Sequence, residues 1–190
     1  MSDITYFETI KCEDEEVFHL DYHNKRIART IGLNLNLQEY IYPPNNKLLK
    51  CKVIYDKNEI INIEYDEYKP KKIQSFKIII DDNIKYNYKS TNRKEINNLY
   101  SKKDKEDEII IIKNGLVTDT SIANIAIYEN GIWLTPKIPL LQGTTLDRLI
   151  DENIIKQADI TQNQLIKSTK IALMNAMIGF KIIENFKYEI

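Results

Sequence analysis

Glycine is scarce in this 190-residue chain, which holds only five. Arginine is scarcer, at four against 23 lysines, and there is one tryptophan. The two cysteines, Cys12 and Cys51, have no paired spacing, and the two histidines, His19 and His23, have no ligand partners nearby in sequence. Nothing here resembles a zinc ligand set, no metal is expected, and free thiols are predicted in preference to a disulfide between the two. No apolar run reaches the length of a membrane span, and "MSDITYFETI" lacks the basic-then-apolar pattern of a leader. Together these point to a cytoplasmic protein with no membrane partner. A net charge of −1, with the lysines spread along the chain, argues against nucleic acid as a partner. Neither a Walker-type Gly-Lys-Ser/Thr ending nor a G-x-G-x-x-G after a strand is present.

What is present is enough apolar material, 43% of residues, for one ordinary domain or two small lobes. "ITYFETIKC" (4–12) reads as a strand. "HLDYHNKRIARTIGLN" (19–34) reads as a helix capped by Asp21, with Ile27 and Ile31 a turn apart. "LLKCKVIYD" and "EIINIEYDEY" alternate as a hairpin turning at "KN", and "KIQSFKIII" (72–80) follows as a further strand. These elements make a small lobe over residues 1–81, with about four antiparallel strands and one helix. Beyond it, "STNRKEINNLYSKK" (90–103) is helical with Ser90 or Thr91 as cap, and "KKDKED" is a solvated loop. "EIIIIK", "IANIAIY" and "IWLTP" are strands joined at "NG" and "ENG". A helix opens at "GTTLDRLIDE", a short capped one at "ITQNQLIK", and two strands flank "NAM". Residues 82–190 thus form a larger α+β lobe.

Three of the five glycines, Gly115, Gly131 and Gly143, fall within 29 residues, around the stretch "NGLVTDTSIANIAIYENGIWLTP" (114–136). Glycine belongs where a backbone turns tightly or a ligand comes close. Gly143, Thr144 and Thr145 stand at a helix start, where free N–H groups and the helix dipole suit a phosphate; a capped helix with a turn glycine fits the same residues. Asp119 is either a turn aspartate bonded to its own backbone or a carboxylate at the base of a cleft. Arg26 and Arg29 either lie on a solvated helix face or, in a chain that uses lysine almost everywhere, serve planar anion binding.

The same stretches, in order, resemble the class IV aminotransferase family, the fold type IV pyridoxal-phosphate enzymes. "YFETIKCEDEEVFHLDYHNKRI" is similar to the family's opening, with an H-x-x-R at His23 and Arg26. "YKSTNRKEINNL" resembles the segment bearing the Schiff-base lysine, which makes Lys89 that residue; Lys85 and Lys94 flank it. "GLVTDTSIANIAIYENGIWLTP" resembles the G-x-(V/I)-T-E-x-x-x-x-N…TP signature, with Asp119 at the glutamate position. "PLLQGTTLDRL" resembles the phosphate turn, with Leu146 where many members carry arginine and Arg148 two residues on. "NAMIGFKII" is similar to a turn of the lyase branch.

The resemblance implies a two-lobed fold with a small antiparallel lobe and a larger barrel-like α+β lobe, a homodimer, and pyridoxal 5′-phosphate as cofactor. It makes Lys89 the covalent attachment and the group that shuttles a proton, and Asp119 the partner of the pyridine nitrogen. Arg26, Gly143, Thr144, Thr145 and the turn at Asn175 would hold the phosphate, with Ser121 as a further donor. Set against that pattern, the chain is shorter than typical members and is expected to be without their first strand and much of their linker region. "K-S-T-N-R" and "NAM" lean towards 4-amino-4-deoxychorismate lyase, which releases pyruvate and leaves 4-aminobenzoate. Transamination of a branched-chain or D-amino acid would use the same lysine and acid. A non-catalytic homologue that binds a ligand is the third reading; joint retention of Lys89, Asp119, Arg26 and Gly-Thr-Thr speaks against it.

Overall fold

The computed structural model describes residues 4–189, and the chain divides into two units. The first comprises residues up to Pro70 together with Tyr88–Asn92; the second comprises Lys71–Asn87 and the chain from Arg93 onward.

In the first unit, strands β1 (Tyr6–Glu13), β2 (Glu16–Val17), β3 (Leu49–Tyr55) and β4 (Ile60–Glu67) form an antiparallel sheet ordered β2-β1-β3-β4. Alternate residues of β1 and β3 point inward: Glu8, Ile10 and Cys12 on one, Leu49, Cys51, Val53 and Tyr55 on the other. Helix α1 (Leu20–Ile31) lays Leu20 and Ile27 into the same core. Asp21 lies in the first turn of α1 but is not its cap; His19 is, in a left-handed conformation, and its side chain makes no capping hydrogen bond. Gly32 ends the helix, also left-handed, its N–H on the Ala28 carbonyl. Segment 88–92 returns to the open side of β1: the Phe7 N–H donates to the Lys89 carbonyl at 2.9 Å, and the Thr91 N–H to the Thr5 carbonyl at 3.0 Å.

The second unit is built on a nine-stranded mixed sheet. Its strands are β5 (Ser75–Ile80), β6 (Glu108–Lys113), β7 (Leu116–Thr120), β8 (Asn124–Glu129), β9 (Ile132–Pro136), β10 (Lys156–Ala158), β11 (Ile171–Asn175), β12 (Gly179–Ile183) and β13 (Lys187–Glu189). They run β10-β9-β8-β7-β6-β5-β13, and the hairpin β11–β12 joins alongside β8. Helices α2 (Lys94–Tyr100), α3 (Thr144–Asp151) and α4 (Gln162–Lys167) complete it. β6 is apolar along its length because both its faces are covered: Ile110 and Ile112 enter one cluster, Ile109 and Ile111 another. Both Asn-Gly pairs make the expected tight hairpins, with positive φ at Asn114, Gly115, Asn130 and Gly131.

Two expectations are corrected here. The division does not fall at residue 81, because β5 pairs in parallel with β6 and so belongs to the second unit. Helix α2 starts at Lys94 rather than at Ser90 or Thr91, because those two residues are held by the strand segment: the Thr5 carbonyl accepts from both their hydroxyls. Among the described residues no helix is long and apolar enough to cross a membrane.

Candidate active site

In the first unit, the alternation of β1 turns Glu8 into the core beside Ile10, where a lone carboxylate would be costly. Two residues of α1, one turn apart, neutralise it. His23 Nδ1 lies 2.5 Å from Glu8 Oε2, Arg26 Nε donates to Glu8 Oε1 at 2.9 Å, and Arg26 Nη2 closes the fork onto Oε2. All three are buried. Burial pushes the Glu8 carboxyl up, but Arg26 and His23 outweigh it and hold it down at about 2. Burial pushes the His23 imidazole below its usual value, and its contacts with Glu8 oppose that. Arg26 is therefore part of a buried ion cluster, not a solvated face. Arg29, in the last turn of the same helix, is not among the buried residues.

Lys89 is half-buried on the returning segment, whereas Lys85 and Lys94 are exposed. Its Nζ stands 4.5 Å from the centre of the Phe7 ring, and its charge adds to the depression of His23. The first unit thus brings Lys89, His23 and Arg26 into one neighbourhood.

In the second unit, Asp119 sits on β7, inside the meander, and is 4% exposed. It is no turn aspartate. Its Oδ1 accepts from Asn124 Nδ2 at 2.6 Å and its Oδ2 from the Leu141 N–H at 3.0 Å. Burial raises this carboxyl to about 7, although these hydrogen bonds, and one from the Leu140 backbone, pull it back down. Gly143 precedes α3 in an extended conformation and offers no side chain to cap it, so the N–H groups of the first turn stay open to an anion. Thr144 and Thr145 begin that turn, both buried. Leu146 is fully buried in a cluster with Ala126 and Leu149.

Ser121 and Asn175 belong to the second unit too, but they spend polar atoms on the protein itself. The Ser121 N–H faces Glu108 Oε1 at 3.3 Å, and its carbonyl accepts from Arg93 Nη2 at 2.8 Å. Asn175 Oδ1 accepts from the Met177 and Ile178 N–H groups, fixing the β11–β12 turn, while its Nδ2 donates to the Ile122 carbonyl. Four residues that sequence reasoning did not single out as site residues now have evident work: Glu8, Arg93, Glu108 and Asn124. Glu8, Arg93 and Asn124 lie inside the quoted stretches "FET", "KSTNR" and "TSIAN". Nothing in sequence marks Glu108, beyond a charge at the head of an apolar strand.

Residues 57–186 match the amino-transferase class IV family. The chain belongs to that family. A relative, an uncharacterized protein of Haemophilus influenzae (strain Rd), is 34% identical over 184 residues, spanning 91% of this chain and 97% of the relative. The solved structure of a candidate 4-amino-4-deoxychorismate lyase from Haemophilus somnus 129PT is 30% identical, with a TM-score of 0.86 over 94% of this chain and 99% of that one. A hypothetical aminotransferase of Mycobacterium tuberculosis, solved in its PLP-bound form, shares the fold at 14% identity and a TM-score of 0.74, with 80% of its length covered. The two-lobed class IV fold is thus established, and the short form of the chain recurs in the two Haemophilus proteins.

Proposed function

We propose that this chain is a pyridoxal-phosphate-dependent class IV enzyme acting on a small amino substrate, and specifically a lyase of the 4-amino-4-deoxychorismate type. The observation that carries the first part is the buried Asp119 carboxyl, fixed at both oxygens and poised near neutrality. The lyase assignment is supported by the 30% identity to the Haemophilus somnus protein and by the Lys89–Arg93 sequence K-S-T-N-R.

The residues fit this cofactor by the chemistry of their donors. The Asp119 carboxylate has about four lone pairs and accepts from Asn124 and from the backbone of Leu140 and Leu141, so it keeps capacity for a ring N–H as well. The uncapped first turn of α3, with the Thr144 and Thr145 hydroxyls, suits a phosphate group; Arg26, the other residue expected to hold it, has its guanidinium paired with Glu8. Lys89 offers the amine for covalent attachment. When bound, pyridoxal phosphate supplies an electron sink for the pair left behind as a proton leaves the substrate carbon bearing the amine. Lys89 Nζ takes that proton. Asp119 would stand at the ring nitrogen as its acceptor, where a positively charged ring would favour the ionised carboxylate against the burial that raises it. The bond from the substrate ring to the enolpyruvyl oxygen would then break, its electron pair leaving on the oxygen as the pyruvate enolate; the proton held by Lys89 would return to that enolate's carbon to give pyruvate, and aromatisation of the ring would drive the step forward.

The test is an absorbance spectrum of the purified protein with added pyridoxal phosphate, followed by borohydride reduction and peptide mapping. A visible band with the adduct on Lys89, lost in Lys89→Ala, is the expected result; an adduct scattered over surface lysines would overturn the assignment. Pyruvate release without a keto-acid acceptor is expected of the lyase. Turnover only with an acceptor would make the protein a transaminase, and a stable adduct with no turnover would make it a binding protein.

A further inference from the structure

Asn124 opens β8, five residues after Asp119, and is 6% exposed. Its amide nitrogen donates twice: to Asp119 Oδ1 at 2.6 Å and to the Leu141 carbonyl at 2.8 Å. Both partners are acceptors, so the orientation of the amide is fixed and both its hydrogens are spent. The Leu141 N–H returns to Asp119 Oδ2 at 3.0 Å. Acid, amide and peptide thus close a ring that spans β7, β8 and the loop ahead of α3. That loop leads, two residues on, into Gly143, Thr144 and Thr145.

Gly143 differs from the other glycines. Gly32, Gly115, Gly131 and Gly179 have positive φ and open space where a Cβ would stand. Gly143 has φ −77° and ψ 149°, which any residue adopts. A Cβ there would meet Asn124 Oδ1 at 2.0 Å and its Cγ at 3.2 Å. The backbone does not require glycine at this position; the Asn124 side chain does.

We infer that Asn124 is a positioning residue, which locks Asp119 and the Gly143–Thr145 turn into one register, and that Gly143 is glycine so that Asn124 can reach both. The inference rests on the reading of Asp119 and that turn as the contacts for ring and phosphate. Its consequence is that the two ends of the cofactor are gripped by parts that cannot shift independently. Loss of the Asn124 amide would leave Asp119 tied to that loop through backbone N–H groups alone, Leu141 among them.

The test is a double-mutant cycle on the full chain with Asn124→Ala, Gly143→Ala and both together. Urea midpoints of the cofactor-free proteins come first. Gly143→Ala should lower the midpoint markedly in the wild-type background and leave it almost unchanged in the Asn124→Ala background. Losses that simply add would overturn the claim about Gly143. If Asn124→Ala does not fold, Asn124→Ser, which also vacates that space, takes its place in the cycle.

The second readout compares pyridoxal phosphate with an analogue carrying carbon in place of the ring nitrogen. The Asn124 variant should lose tenfold or more in affinity for pyridoxal phosphate and much less for the analogue, because only the former uses a correctly aimed Asp119. Equal losses for both ligands would show that Asn124 merely supports the fold, and would overturn the positioning role. If wild-type protein captures no pyridoxal phosphate at all, the functional reading fails, while the urea cycle still decides the coupling of Asn124 to Gly143.

Discussion

Replacing Asp119 with asparagine should make two stability curves cross. In the cofactor-free protein, burial raises this carboxyl from its usual 3.8 to about 7. Between those values the folded chain holds a proton that the unfolded chain has released, so stability falls as pH rises towards 7 and then levels off. At about 1.4 kcal/mol per pH unit the total is roughly 4 kcal/mol, of which roughly 3 kcal/mol falls between pH 5 and 8. Asparagine does not titrate, so that loss disappears. The substitution also carries a pH-independent cost. An amide has one acceptor oxygen where the carboxylate had two, so either the Asn124 amide or the Leu141 N–H loses its acceptor, at about 1–3 kcal/mol. Asp119→Asn should therefore be level with the wild type or below it at pH 5, and above it at pH 8. Other groups move stability in the same range: His23, lowered, in the opposite sense, and Glu108, raised by burial, in the same sense. They are common to both proteins and cancel in the difference. The assay is urea unfolding at four pH values from 5 to 8. Parallel curves across that range would refute the account of Asp119 as a group strained by burial.

Two further outcomes follow from the same reasoning. Glu8→Gln leaves the Arg26 guanidinium buried without its counter-ion, and should cost about 3–5 kcal/mol in urea unfolding, as broken buried pairs do; a loss under about 1 kcal/mol would mean that Arg26 is solvated. Gly115→Ala places a side chain at φ +76° with nothing to clash against, so its cost should be the conformational one of about 1–2 kcal/mol, seen as a lower melting temperature; an unchanged melting temperature would show that the turn relaxes.

Much of the fold was legible because its signals are local. The Asn-Gly pairs required positive φ, and the alternation in "LLKCKVIYD" gave both the strand and its buried face. The all-isoleucine run of β6 announced cover on both sides. What was not legible depends on partners remote in sequence. β5 reads as a strand wherever it goes, but its place beside β6 is decided across a long crossover. β2, β10 and β13 are two or three residues long and exist only through their neighbours. The helix pattern placed Arg26 correctly, yet its burial is explained by Glu8, 18 residues earlier on another element. Gly143 was read through backbone conformation and ligand approach, whereas its cause is an asparagine 19 residues upstream.

The return of Tyr88–Asn92 to the first unit has an evolutionary consequence. Neither unit is a continuous stretch of gene. A recombination event that exchanged residues up to Pro70 for those of a relative would bring a foreign β1 and leave behind the native strip that carries Lys89. The backbone pairing of Phe7 with Lys89 would then join two lineages across one ladder. A mismatched seam would cost such a hybrid its ladder, so the two units are expected to descend together, as one inherited block rather than as interchangeable cassettes.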